Sequence, residues 1–150
     1  MMILYNVFEL IKTVELRFRA AKTSADHFLA FCKKDPTRIA SKSGLRVRDI
    51  RDCAEDLEDT YLIRAYAVFE TTLRDYWQNA CKRHSLPGAE QLINRVASRC
   101  AALANELKDV HAVREYRNWL VHGGTIPAKV AMAEAKSCMC KFLRNLPPSW

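Results

Sequence analysis

Six apolar residues, Leu62, Tyr66, Phe69, Leu73, Trp77 and Ala80, follow one another at steps of four, three, four, four and three. Steps of three and four keep side chains on one face of an α-helix and do not fit the two-residue alternation of a strand. The seam therefore predicts a central core helix over about 52–83. Its aromatic rings read as packing, because a base-stacking platform needs rings exposed on a groove or sheet. Glu70 lies four residues before Arg74, the favourable orientation for an ion pair on one helix.

The rest of the chain repeats this pattern. Leu4, Phe8, Ile11, Val14, Phe18, Ala21, Ala25, Phe28 and Cys32 predict a first helix from Leu4 to about Lys34, and Asp35-Pro36 ends it because proline pushes its predecessor out of the helical region. Thr37 to Gly44 reads as a mobile loop that still admits a short helical turn. Arg46, Arg48 and Arg51, interleaved with Asp49 and Asp52, read as a solvated helix face with local ion pairs. His84-Ser85-Leu86-Pro87-Gly88 stops the central helix. Leu92, Val96, Cys100 and Leu103, then Val110, Val113, Tyr116 and Leu120, mark one long helix or two abutting ones, with a bend expected around Asn105 to Asp109. Gly123-Gly124 closes it as a left-handed cap. Thr125-Ile126-Pro127 opens the last helix, carried by Val130, Ala131, Ala133, Cys138, Phe142 and Leu143 and ended by Pro147-Pro148.

The expectation is an all-α antiparallel bundle of four to five helices in a single domain, 1–150. Only four Gly and five Pro among 150 residues fit few turns and long elements. A net charge of +7 favours a polyanionic partner, RNA, DNA or an acidic protein. The six cysteines show no CxxC spacing, so they read as small buried thiols rather than a metal or redox site, in a reducing cytoplasm. No metal or other cofactor is expected. Met1 to Leu4 lacks a preceding basic region and is too short for a signal core, and no segment offers the roughly 18 apolar residues that read as a membrane span.

Chemistry concentrates in Arg114-Glu115-Tyr116-Arg117-Asn118-Trp119-Leu120-Val121-His122-Gly123-Gly124. A guanidinium forks onto phosphate, and an imidazole moves a proton near neutral pH. His122 is a candidate to take a proton from a ribose 2′-hydroxyl or to deliver one to a departing 5′-oxygen. Arg117 would neutralise the pentacoordinate phosphate and Asn118 would orient it. Arg114 is an auxiliary cation for binding substrate. Five residues on a regular helix turn Arg117 and His122 about 140° apart. A distorted last turn or a second copy across a two-fold axis is needed to unite them. The blander reading leaves Arg117 pairing with carboxylates near Glu115 or Glu70 and His122 capping carbonyls. Trp119 suits a core or a dimer interface, and His27, His84 and His111 belong to no constellation.

Arg117-Asn118-Trp119-Leu120-Val121-His122 at a helix end, preceded by Tyr61 to Glu70 and by Leu73-Arg74-Asp75-Tyr76-Trp77, resembles the HEPN superfamily, and most of all its ribonuclease-toxin-like and phage-defence branches. The resemblance spans roughly residues 50 to 145. It implies a helical homodimer with facing motifs that cuts RNA without metal and leaves 2′,3′-cyclic phosphates, with Arg117, Asn118 and His122 as the motif residues. It also implies a cognate antitoxin or defence partner protein. Members paired with a nucleotidyltransferase antitoxin often carry a tyrosine two positions beyond the histidine. Gly124 stands there, so nucleotidylation is not expected. The alternatives are a non-catalytic HEPN-like module that binds RNA, nucleotide or a protein, and a plain helical assembly protein whose charge is incidental.

Overall fold

The computed structural model describes residues 2–37 and 44–150, and residues 38–43 of the loop expected from Thr37 to Gly44 lie outside them. The described residues form five α-helices: α1 (Leu4–Lys34), α2 (Val47–Asp75), α3 (Ala89–Cys100), α4 (Ala104–His122) and α5 (Met132–Leu143). Among the described residues the one β-type pairing is an isolated antiparallel bridge between Ile3 and Ser149. No helix among them is long and apolar enough to cross a membrane.

The predicted seam is the centre of the bundle. Leu62, Tyr66, Phe69 and Leu73 are fully buried, and Trp77 nearly so. Removing such a side chain from water contributes about 1.5–3 kcal/mol. Phe69 meets Phe142 of α5 edge-on at 5.8 Å and Tyr66 at the same centroid distance. All five helices contribute to one contiguous buried cluster. In α1, Leu4, Val7, Ile11 and Cys32 are buried, whereas Phe28, read as part of its stripe, is exposed. The second half of that helix thus buries little besides Cys32.

Four boundaries depart from the periodicity. α2 begins at Val47, a turn before the expected 52, because Asp49 accepts the backbone N–H of Arg46 at 2.9 Å and its guanidinium at 3.2 Å, while Ile50 and Ala54 add buried contacts. Arg51 pairs with Asp52 at 3.6 Å, so these residues show the local ion pairs expected of a solvated face. At its other end α2 widens into a π-turn, Tyr76–Ala80, in which the Cys81 N–H donates to the Tyr76 carbonyl five residues back, at 3.1 Å. The break between α3 and α4 falls at Ala101, whose φ of 53° and ψ of 38° are left-handed, not at Asn105 to Asp109. Leu103 consequently leaves the apolar stripe and is exposed.

The fourth boundary is the start of α5. Pro127 does not open it: the helix begins at Met132, whose backbone N–H donates to Glu58 Oε1 of α2 at 2.9 Å. Val130, Phe142 and Leu143 are buried as expected, joined by Met132, Ala135 and Met139, while Ala131 and Ala133 are exposed. The chain ends meet on the other side of the molecule: Met2 donates its N–H to the Trp150 carbonyl at 2.8 Å, and Trp150 Nε1 donates to Asp75 Oδ2 at 2.6 Å. All six cysteines are free thiols, and Cys53 is exposed rather than buried.

Candidate functional site

α4 carries every residue of the motif, and α2 fixes its last two turns. Tyr116 is buried and donates its hydroxyl to Asp59 Oδ1 at 2.8 Å. Burial, aided by that hydrogen bond, pushes the Tyr116 phenol up to about 12. Its ring stacks on Trp119 with centroids 5.7 Å apart. The neighbouring Glu58 caps α5. Two adjacent carboxylates of α2 therefore anchor the end of α4 and the start of α5, on either side of the segment 123–131.

Helical geometry then distributes the motif over two faces. Glu115, Asn118, Trp119 and His122, which share one face of the helix, line an open depression of about 430 Å³ with Gly123 and Thr125. His122 is exposed there, at the last residue of the helix. Gly123 turns the chain away with φ 72° and ψ −159°, and its N–H closes on the Trp119 carbonyl at 2.8 Å. This is a positive-φ cap, but its ψ lies outside the expected left-handed region and in one open essentially to glycine alone.

Arg117 does not line that depression. It is half-buried, with its guanidinium carbon 5.4 Å from the centre of the Tyr66 ring, and its Nη1 donates to Asn118 Oδ1 at 3.0 Å. Its Nε is buried with no hydrogen-bond partner among the described residues, as is the Tyr66 hydroxyl. Burial, with Glu70 adding to it, pushes the Tyr66 phenol up to about 12. The carboxylate pairing considered for Arg117 goes to its neighbours. Arg74 takes Glu70 at 2.6 Å, and Arg114 takes Glu90 at 3.3 Å and Glu115 at 3.7 Å. Asn118 is thus the one motif residue in both places: its amide oxygen holds Arg117 while its side chain borders the depression with His122.

Arg114 is not a loose surface cation. Its side chain is only 14% exposed, and its Nε donates to His111 Nδ1 at 3.3 Å. The other nitrogen of that imidazole meets Asn94 Oδ1 at 2.8 Å. His111 therefore belongs to a chain running from α3 to Arg114. Burial first, then the Arg114 charge, holds His111 below the ordinary histidine range. The spacing of His111 and Arg114, three apart on one helix, was the available signal in the sequence. Nothing in the sequence marks Tyr66, 51 positions before Arg117, as the ring beneath it.

Among the described residues, no three His, Cys, Asp or Glu side chains are grouped to hold a metal ion. The arrangement offers a cation with unused donor capacity, an amide tethered to it and an exposed imidazole. No family model, curated protein or solved structure matches this chain.

Proposed function

We propose that the protein is a metal-independent endoribonuclease of a toxin–antitoxin or antiviral defence system, cutting RNA by transesterification at a site built from Arg117, Asn118 and His122 of two copies. The observation that carries this reading is Arg117: among the described residues its guanidinium pairs with no carboxylate, unlike that of Arg114, and is tied to Asn118, with a buried Nε that none of them satisfies. A charged donor left unsatisfied out of water is costly and favours an anionic acceptor.

The chemistry asks for two proton-transfer groups. The 2′-oxygen forms a bond to phosphorus as it loses its proton, the bond to the 5′-oxygen breaks, and that oxygen gains a proton, leaving a 2′,3′-cyclic phosphate and a 5′-hydroxyl. Entering and leaving oxygens stand on opposite sides of phosphorus, so base and acid must approach from two directions. One chain supplies a single motif imidazole. Two copies about a two-fold axis supply two, each with its Arg117 to neutralise the phosphorane. Positioned proton transfer of this kind contributes about 10² to 10⁴ in rate. Arg114, held by Glu90, Glu115 and His111, steadies the turn of α4 that leads into Arg117.

Incubation of the purified protein with RNA in EDTA tests the reading. Cleavage with cyclic-phosphate ends is expected, falling about 10²-fold or more in His122→Ala and in Arg117→Ala. Full activity in both variants contradicts it. A second reading, a non-catalytic HEPN-like module that binds RNA, nucleotide or a protein, is favoured by the lie of Arg117 over Tyr66 rather than in the depression that His122 lines. It predicts binding without any cut ends.

A further inference from the structure

Away from Arg117 and His122, the end of α2 and the start of the following loop converge basic side chains on one place. Lys82, Arg83 and His84 line a recess of about 460 Å³ together with Gln78 and Asn79 of the π-turn. On a continuing helix three consecutive residues would point about 100° apart. Here the widened turn and the left-handed Lys82, at φ 54°, bring them to one recess. A π-turn and a non-glycine residue at positive φ both recur at functional sites.

A second recess, of about 440 Å³, is lined by Trp77, Asn94, Arg95, Ser98 and Arg99. Trp77 ties the two together. Its indole N–H donates to the Ser85 carbonyl of the loop at 3.0 Å, and Arg95 lies over its ring at 5.8 Å. Among the described residues no carboxylate lines either recess. Among the described residues none of Lys82, Arg83, Arg95 and Arg99 forms an ion pair, unlike Arg46, Arg51, Arg74 and Arg114. The nearby Asp75 carboxylate is taken by Asn79 and Trp150. Cations interspersed with amides and a hydroxyl suit phosphate oxygens and sugar hydroxyls, whereas a protein interface would centre on exposed aromatic or aliphatic side chains.

We infer that Lys82 and Arg83 on the loop and Arg95 and Arg99 on α3 form a binding surface for the sugar–phosphate backbone of an RNA strand. The identification of that strand as RNA rests on the ribonuclease reading. Asn94, which lines the α3 recess, also holds His111 and through it Arg114, so the surface adjoins the side of α4 that carries Arg114, one turn before Arg117. A strand held here extends beyond the cut phosphodiester and is gripped without regard to base sequence.

Fluorescence anisotropy with a labelled 2′-O-methyl RNA of about 20 nucleotides tests this, since that strand lacks the attacking hydroxyl and reports binding alone. The variant combines Lys82→Gln, Arg83→Gln, Arg95→Gln and Arg99→Gln. The control carries Arg17→Gln and Arg19→Gln, two exposed cations of α1. Circular dichroism establishes folding of each, and the two pairwise variants, 82/83 and 95/99, replace the quadruple one should it not fold. The expected result is at least about tenfold weaker binding and a salt dependence shallower by roughly 2 to 3 logarithmic units per decade, about 0.7 for each lost phosphate contact. Affinity within twofold of the unmodified protein, or equal weakening in the control, overturns the proposal. Displacement of the strand by polyglutamate at equal charge also overturns it, in favour of an acidic protein partner. Cleavage is read separately: binding through these four cations with 2′-hydroxyl RNA left uncut supports the surface and contradicts the nuclease.

Discussion

Ala101 holds φ at 53°, a conformation that L residues adopt at a cost of about 1–2 kcal/mol, and it does so to let α3 end and α4 begin within three residues. Glycine relieves that crowding and loses some of the gain to its greater freedom in the unfolded chain. Ala101→Gly is therefore expected to stabilise the protein by ~0.5–1 kcal/mol, measured by urea unfolding. Arg117 and Tyr66 carry a different burden, a buried Nε and a buried hydroxyl without partners among the described residues. Each such group costs about 1–3 kcal/mol. Both lie where the Arg117 guanidinium covers the Tyr66 ring, next to the amide of Asn118. His111 supplies a pH signature. Its folded state resists protonation, so as pH falls below the ordinary histidine value of about 6.5 the unfolded chain binds the proton first and stability declines. Between neutral pH and pH 5, the stability of His111→Gln should fall less steeply than that of the unmodified protein. Parallel curves would show that the Asn94–His111–Arg114 chain does not hold the imidazole neutral.

At the scale of helices, α2 organises the site through Glu58 and Asp59 at one turn and Tyr66 at another. Glu58 caps α5 from 74 positions away, a charge-assisted hydrogen bond at a helix start. Glu58→Ala should destabilise by about 1–2 kcal/mol and fray the beginning of α5, seen as faster amide exchange at Met132 and its neighbours. Unchanged exchange there would remove Glu58 from this role. The same contact explains which boundaries could be read from sequence. The extent of α1 and the buried seam of α2 follow from local periodicity and from Asp35-Pro36, and both stand where expected. The start of α5 is set by a distant carboxylate, and the break at Ala101 by an alanine that carries no turn signature, so neither is visible in a window of neighbouring residues. The site divides in the same way. The spacing of Arg117, Asn118 and His122 and their separation around the helix are legible. The ring beneath Arg117, the brace on Arg114 and the depression beside His122 come from tertiary contacts.

For the whole molecule, the positive charge of +7 is distributed unevenly in its use. Arg74 and Arg114 are paired with carboxylates, whereas among the described residues Lys82, Arg83, Arg95 and Arg99 form no ion pair, past the end of α2 and on α3. A polyanion held there and cut at the end of α4 would engage two sides of the bundle. Under the proposed function two copies complete the reacting site, because one chain turns Arg117 onto Tyr66 and His122 into the depression. The most direct measurement follows RNA cleavage in EDTA as a function of protein concentration, with the oligomeric state of the same samples determined by sedimentation. The rate per chain is expected to rise with the dimer fraction and to level off once dimers predominate. Cleavage whose rate per chain stays constant down to concentrations where only monomers sediment would contradict it.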